Sequence, residues 1–188
     1  MITIIGISGS LRAGSFNSSL LRAAQEVMPV ESRLQIASIR GIPLYDADEE
    51  AAQGIPEAVA TLKEAIAAAD GLLLATPEYN NGIPGVAKNA VDWLSRPPAD
   101  IARVFRGKPV SIIGASPGGF GTILAQDGWL PVFRALGADL WAGGRLMVPR
   151  AGSVFDASGV ITDAKVREAL ARFVAGFTQY AAGRAARR

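Results

Sequence analysis

Three short segments concentrate residue types suited to holding a ligand. The first, Ser8-Gly-Ser-Leu-Arg-Ala-Gly-Ser-Phe-Asn-Ser-Ser19, leads from an apolar run into a helical stretch. A helix beginning there offers free backbone N–H groups and the positive end of its dipole. Ser10, Ser15, Asn17 and Ser18 add hydrogen-bond donors and Arg12 adds charge, a combination that describes a phosphate cradle. A plain strand-to-helix turn would need one N-cap, Ser15 or Asn17, and would leave the remaining donors unexplained. Gly9 and Gly14 have the spacing of a triphosphate-binding loop, but Ser15 stands where that loop needs lysine. Gly6, Gly9 and Gly14 miss the dinucleotide fingerprint, and the second strand ends in Ser38-Ile-Arg40 without an acidic residue for a ribose diol. A single terminal phosphate among hydroxyls suits a mononucleotide such as FMN.

The second segment is Thr76-Pro-Glu-Tyr-Asn-Asn-Gly-Ile-Pro84. Its Pro, Asn and Gly content favours a sharply turned backbone. Tyr79 supplies a flat face, and Asn80 and Asn81 supply donors and acceptors, which is the mixture a flavin ring needs; an ordinary turn before a helix is the simpler alternative. Glu78 reads as a positioning or interface residue. The third segment, Ala115-Ser-Pro-Gly-Gly-Phe-Gly121, lets backbone approach a ligand closely. Its N–H groups could stabilise negative charge at one edge of a reduced ring.

The rest of the composition restricts what side chains can do. The 188 residues contain no cysteine and no histidine. That removes thiolate nucleophiles, cysteine-based metal sites, the serine–histidine triad and the commonest general base. Any enzyme built from this chain relies on a bound cofactor for its difficult step. No metal site is expected. The net charge is +2, and three of the basic residues, Arg184, Arg187 and Arg188, lie in the last five positions. Residues 1–183 therefore read as one near-neutral domain and 184–188 as a short basic, frayed tail. A nucleic-acid face is not expected. Neither is a membrane span, since no apolar run approaches about 20 residues. Absence of cysteine fits a cytoplasmic setting.

These loops must be positioned by regular elements. Strand-like runs at Met1–Ile7, Arg33–Ser38, Gly71–Ala75, Pro109–Ala115 and within Leu140–Val148 alternate with helical stretches at Asn17–Met28, Pro56–Ala69, Pro84–Leu94, Gly121–Leu136 and Thr162–Ala182. Gly128 and Pro131 are expected to kink or split the fourth helix. The pattern is that of an α/β protein with a parallel sheet covered on both faces. In such sheets ligands bind at the carboxyl ends of the strands, where all three loops fall. The stretch beginning Gly41-Ile-Pro-Leu-Tyr-Asp46 is long for a connection and reads as a site-mouth, subunit-contact or surface segment.

Gly9-Ser-Leu-Arg-Ala-Gly-Ser-Phe-Asn17, Pro77-Glu-Tyr-Asn-Asn-Gly-Ile-Pro-Gly-Val-Ala-Lys-Asn-Ala-Val-Asp-Trp93 and Ser116-Pro-Gly-Gly119 resemble the NADPH-dependent FMN reductase family, as does Leu44-Tyr45-Asp46. The resemblance implies a flavodoxin-like three-layer sandwich with a five-stranded parallel sheet in the order 2-1-3-4-5. It implies non-covalent FMN, with NADPH or NADH as co-substrate and a quinone, flavin, chromate or azo compound as acceptor. It carries over Ser10, Arg12, Ser15, Asn17 and Ser18 as phosphate contacts. Pro77, Glu78, Tyr79 and Asn80 come over as ring contacts, and Ser116, Gly118 and Gly119 as neighbours of the opposite ring edge. It implies a homodimer or homotetramer, and Lys88, Asp92 and Trp93 read as helix-face or interface residues. No side chain is expected to be catalytic. A departure is Thr122-Ile-Leu-Ala-Gln-Asp-Gly-Trp-Leu-Pro131, less basic than the quinone-reductase branch, although Gln126 is retained. A flavodoxin-type electron carrier or a non-enzymatic FMN-binding protein is the alternative, disfavoured by the near-neutral body because steering of redox partners needs a charged face.

Overall fold

In the computed structural model, which describes residues 1–187, β-branched and leucine-rich runs form the centre of a parallel sheet. β1 (Ile2–Ser8) pairs with β2 (Ser32–Ala37) on one side and β3 (Gly71–Ala75) on the other. β4 (Pro109–Ala115) extends the sheet beyond β3, giving the order β2-β1-β3-β4-β5. The last strand differs from the single run expected. It consists of β5 (Asp139–Leu140) and β6 (Leu146–Val148), both parallel to β4. Between them Gly143 and Gly144 pack against the Trp141 ring, and a Cβ at either would collide with it.

Alternation along each strand sends neighbouring side chains to opposite faces. Ile4, Leu73 and Ile113 meet α1 (Phe16–Glu26) and α7 (Ala164–Ala185) on one side. Ile5, Ile7, Leu72, Leu74 and Ile112 meet α3 (Glu57–Ala68), α4 (Gly85–Leu94) and α6 (Ile123–Ala135) on the other. The result is the flavodoxin-like sandwich expected. Helix α6 passes through Pro131 without splitting. The buried Trp129 and Phe133 anchor the turns on either side of the proline, and that burial offsets the lost hydrogen bond.

The long connection after β2 also holds more structure than its composition suggested. It contains α2 (Ala47–Gln53), capped by Asp46. Before that helix the chain is strapped to α4. Asn89 donates to Pro43 O at 2.7 Å and accepts from Tyr45 N at 2.8 Å, while Trp93 Nε1 donates to the same Pro43 carbonyl at 2.9 Å. Trp93 is therefore a core residue, not the interface residue expected, whereas Lys88 and Asp92 form an i,i+4 ion pair on the open face of α4. A short helix, α5 (Ile101–Val104), precedes β4.

Arg184 also departs from the expected frayed tail. It lies within α7, its Nε 2.7 Å from Asp139 Oδ2 and its Nη2 donating to Tyr180 Oη at 2.8 Å. Arg187 follows the helix, and Arg188 lies outside the described residues.

Candidate functional site

The carboxyl ends of β1, β3 and β4 bring the three loops to one place. They enclose a cavity of about 350 Å³ bordered by Ser10, Arg12, Ser15, Asn17, Pro77, Glu78, Tyr79 and Ser116, among others. That is within the size range of small-molecule sites. Close approach of the loops depends on two glycines. A Cβ at Gly9 would press on Pro77 and Ala87, where the first and second loops touch. A Cβ at Gly114 would overlap Thr122 Oγ1 and the Thr76 carbonyl. Any larger residue at either position would push the loops apart.

On the first loop Ser15 is the N-cap of α1. Its Oγ accepts from Asn17 N at 3.2 Å and Ser18 N at 3.4 Å, leaving its own hydroxyl proton to donate elsewhere. Ser10 Oγ lies 3.3 Å from Tyr79 Oη, which links the first loop to the second. Arg12 is exposed, with its guanidinium 5.5 Å from the Phe16 ring centroid. Asn17 departs from its expected place at the phosphate. Its Nδ2 donates to Ala115 O and its Oδ1 accepts from Ala115 N, both at 2.9 Å, deep in the interior. The amide is a strut tying α1 to the end of β4. Ser18 Oγ donates to Ser8 Oγ at 3.0 Å, so this hydroxyl proton is also spent inside the loop. Of the five residues expected at a phosphate, Ser10, Arg12 and Ser15 are those whose side chains are not committed to buried struts.

The second loop is a tight hairpin. Tyr79 and Gly82 exchange two backbone hydrogen bonds of 3.1 Å, and Asn80 and Asn81 take left-handed φ values of 51° and 60°. Asparagine tolerates that region better than most residues. Tyr79 and Asn80 are exposed at the turn, and Pro77 is buried below them. Glu78 departs from the expected ring contact. Its Oε2 accepts from Leu124 N at 2.9 Å and Ala125 N at 3.0 Å, the first N–H groups of α6. Thr122 makes no side-chain cap to α6, so Glu78 supplies that role from the neighbouring loop. Below it, Thr76 Oγ1 donates to Pro77 O at 2.8 Å and accepts from Trp129 Nε1 at 3.0 Å. Thr76 and Trp129 were not expected to shape the site, and their residue types alone carry no signal for it.

The third loop is anchored at its base and open at its tip. Ser116 donates from N to Val148 O at 3.0 Å and from Oγ to Gly121 O. Gly118 O accepts from Arg150 N at 2.9 Å, where Arg150 adopts φ 48°. Gln126 Nε2 donates to Thr122 Oγ1 at 3.1 Å and Leu146 O at 3.0 Å, closing the underside. At the tip, Gly118, Gly119 and Phe120 are exposed, Phe120 by 83%. A Cβ at Gly119 would meet no atom within 4 Å. Protein packing therefore gives no reason for glycine there, whereas close approach of a ligand does.

Among the described residues, no group of three or more acidic or metal-ligating side chains could hold a metal ion, and no helix is long and apolar enough to cross a membrane.

The family model for NADPH-dependent FMN reductases matches residues 2–153. An NAD(P)H-dependent FMN reductase of Pseudomonas aeruginosa is 46% identical over 167 residues, covering 89% of this chain and 88% of the relative. A 2-hydroxy-1,4-benzoquinone reductase of a Burkholderia species is 39% identical over 173 residues, covering 92% of each. The solved structure of FerB, a flavoenzyme NAD(P)H:(acceptor) oxidoreductase from Paracoccus denitrificans, superposes with a TM-score of 0.87 at 32% identity, covering 98% of this chain and 99% of that one.

Proposed function

The chain belongs to the NADPH-dependent FMN reductase family, and from that premise we propose that it binds FMN non-covalently in the three-loop cavity and reduces quinones or free flavins with NAD(P)H. Chromate and azo compounds belong to the same proposal as further acceptors. The observation that carries it is the convergence of the α1 N-terminus, Arg12 without an ion pair, the Pro77–Tyr79 segment and the Ser116–Pro117 start of the glycine loop on one cavity. When bound, FMN would supply the redox step, taking hydride at N5 from the nicotinamide and passing the reducing equivalents to the acceptor in a ping-pong cycle.

This donor set suits FMN. Arg12 offers a fork of N–H groups to a phosphate, and Ser10 and Ser15 have hydroxyl protons to give. The hairpin holds the Tyr79 ring at the cavity edge, and Pro77 floors it. Gly118 and Gly119 are exposed at the loop tip, and their N–H groups are proposed to hold developing negative charge at the ring edge. Glu78 keeps α6 and the hairpin in register, which makes it a positioning residue. Ser116 sets the base of the glycine loop. The chain then contributes proximity and fixed dipoles, and solvent can protonate the product.

The family resemblance supports a homodimeric or homotetrameric state, and the absence of cysteine supports a cytoplasmic setting, as parts of the same proposal. The one-electron carrier reading has less support, because the near-neutral body lacks a steering face.

The test is anaerobic mixing of the FMN-loaded protein with NADPH and with NADH. The proposal expects bleaching of the flavin absorbance by at least one nucleotide and recovery on adding a quinone. Bound flavin that neither nucleotide bleaches would leave a carrier, not a reductase.

A further inference from the structure

A second groove adjoins the three-loop cavity on the β2 side of the first loop and extends away from it along β2. It has a volume of about 300 Å³ and is walled by Leu11, Arg12, Arg22, Ile36, Ser38 and Arg40. Arg22 and Arg40 do not border the three-loop cavity; Ser10 and Arg12 border both.

The charges in this groove are placed but not neutralised. Arg22 projects from α1 one turn after Ser18, its Nη2 donating to Ser19 Oγ at 2.9 Å. Arg40 follows β2, its Nη2 donating to Leu11 O at 2.7 Å, and its backbone N–H donates to Ser38 Oγ at 3.0 Å. Each bond fixes one edge of a guanidinium and leaves further N–H groups for a ligand. Among the described residues, no carboxylate forms an ion pair with Arg12, Arg22 or Arg40. Glu26, one turn from Arg22 on α1, lies 3.6 Å from Arg167 instead. Asp156, beyond Arg22, accepts from Ser158 and Val160, and Glu57 borders a separate depression on the far side of Arg40.

Two apolar side chains stand among these cations. Leu11 and Ile36 are each 38% exposed. A groove that pairs guanidinium forks with small apolar faces fits a phosphorylated, flat heterocycle better than a free anion. Guanidinium forks match phosphate oxygens two at a time.

We propose that this groove binds the adenosine end of the nicotinamide co-substrate, with Arg22 and Arg40 holding the 2′-phosphate that distinguishes NADPH from NADH. The inference rests on the reductase reading above, in which the flavin ring lies over the β3 and β4 loops. From β4 to β2 is three strand spacings, about 14 Å. An extended dinucleotide with its nicotinamide over that ring spans this distance.

The test uses the FMN-loaded protein, the Arg22→Ala/Arg40→Ala double variant, and 2′,5′-adenosine bisphosphate, 5′-AMP and inorganic phosphate as calorimetric probes. Both arginines are exposed, so the variant is expected to fold. The wild type should bind the bisphosphate about ten-fold more tightly than either other probe, and the variant should lose that preference. In turnover, the NADPH KM should rise about ten-fold in the variant while the NADH KM changes by less than about two-fold. Equal binding of the three probes by the wild type would overturn the proposal, as would parallel rises in the two KM values. Loss of FMN from the variant would assign the arginines to the FMN phosphate and also overturn it. Failure of the reductase reading has a different signature. The flavin would stay oxidised with either nucleotide, and the binding preference would still decide the groove.

Discussion

The two sides of the cavity are built in opposite ways. On the β3, β4 and α6 side the protein spends its polar groups on itself. Asn17 grips the Ala115 backbone, Trp129 bonds Thr76, Gln126 closes Thr122 against Leu146, and Glu78 caps α6. At the rim formed by Ser10–Gly14 and Gly118–Phe120, charge and backbone face solvent. In the function proposed above, the rigid side would hold the ring at a fixed distance and the open donors would meet the acceptors a ligand brings. A polar residue in a ligand-binding motif can belong to either side, and only its partners reveal which.

Substitutions that attack the saturated side should break this comparison most visibly. Gly114→Ala drives a methyl into Thr122 and the Thr76 carbonyl, and about 3 kcal/mol of stability should be lost in urea unfolding. Asn17→Ala should cost about 2 kcal/mol, because both backbone groups of Ala115 lose buried partners. If stability held while FMN affinity fell, Asn17 would move to the open side. Glu78→Ala removes two acceptor contacts at the α6 N-terminus and should cost about 1 kcal/mol, with FMN binding weakened through the displaced hairpin.

A smaller effect tests the strap after β2. Glu50 bonds Arg96 Nε at 2.8 Å and Tyr45 Oη at 2.9 Å, and the Arg96 hydrogen bond above all holds its carboxyl below the usual range. Asp100 is held low chiefly by its hydrogen bond from Lys63. A depressed folded-state pKa gives stability that is present above the unfolded value, about 4, and lost as pH falls through the folded one. The urea midpoint should therefore drop as pH is lowered below about 4, and less steeply in Glu50→Gln. The smallest change should come from Phe120→Ala on the open rim, within about 0.5 kcal/mol of wild-type stability.

Most of the architecture is written in local pattern. The apolar runs at Ile2–Ser8, Gly71–Ala75 and Pro109–Ala115 are buried as continuous strands, and the glycine and asparagine loops sit at their carboxyl ends. What the pattern hides is long-range. Glu78 reaches Leu124 across 46 positions and Asn17 reaches Ala115 across 98, and neither spacing marks a residue as a strut. The passage of α6 through Pro131 depends on Trp129 and Phe133 finding the core. The short α2 helix is polar and has no buried residue, so no hydrophobic periodicity announces it.

Titration of the apoprotein with FMN and with riboflavin tests most directly whether Ser10 and Arg12, with the buried N-cap Ser15 beneath them, form a phosphate cradle. The two ligands share the ring and differ in the phosphate. FMN should bind at least about a hundred-fold more tightly, and Arg12→Ala/Ser15→Ala should erase most of that difference while riboflavin binding barely moves. Equal affinity for the two ligands, or a double variant that keeps the full preference for FMN, would contradict it.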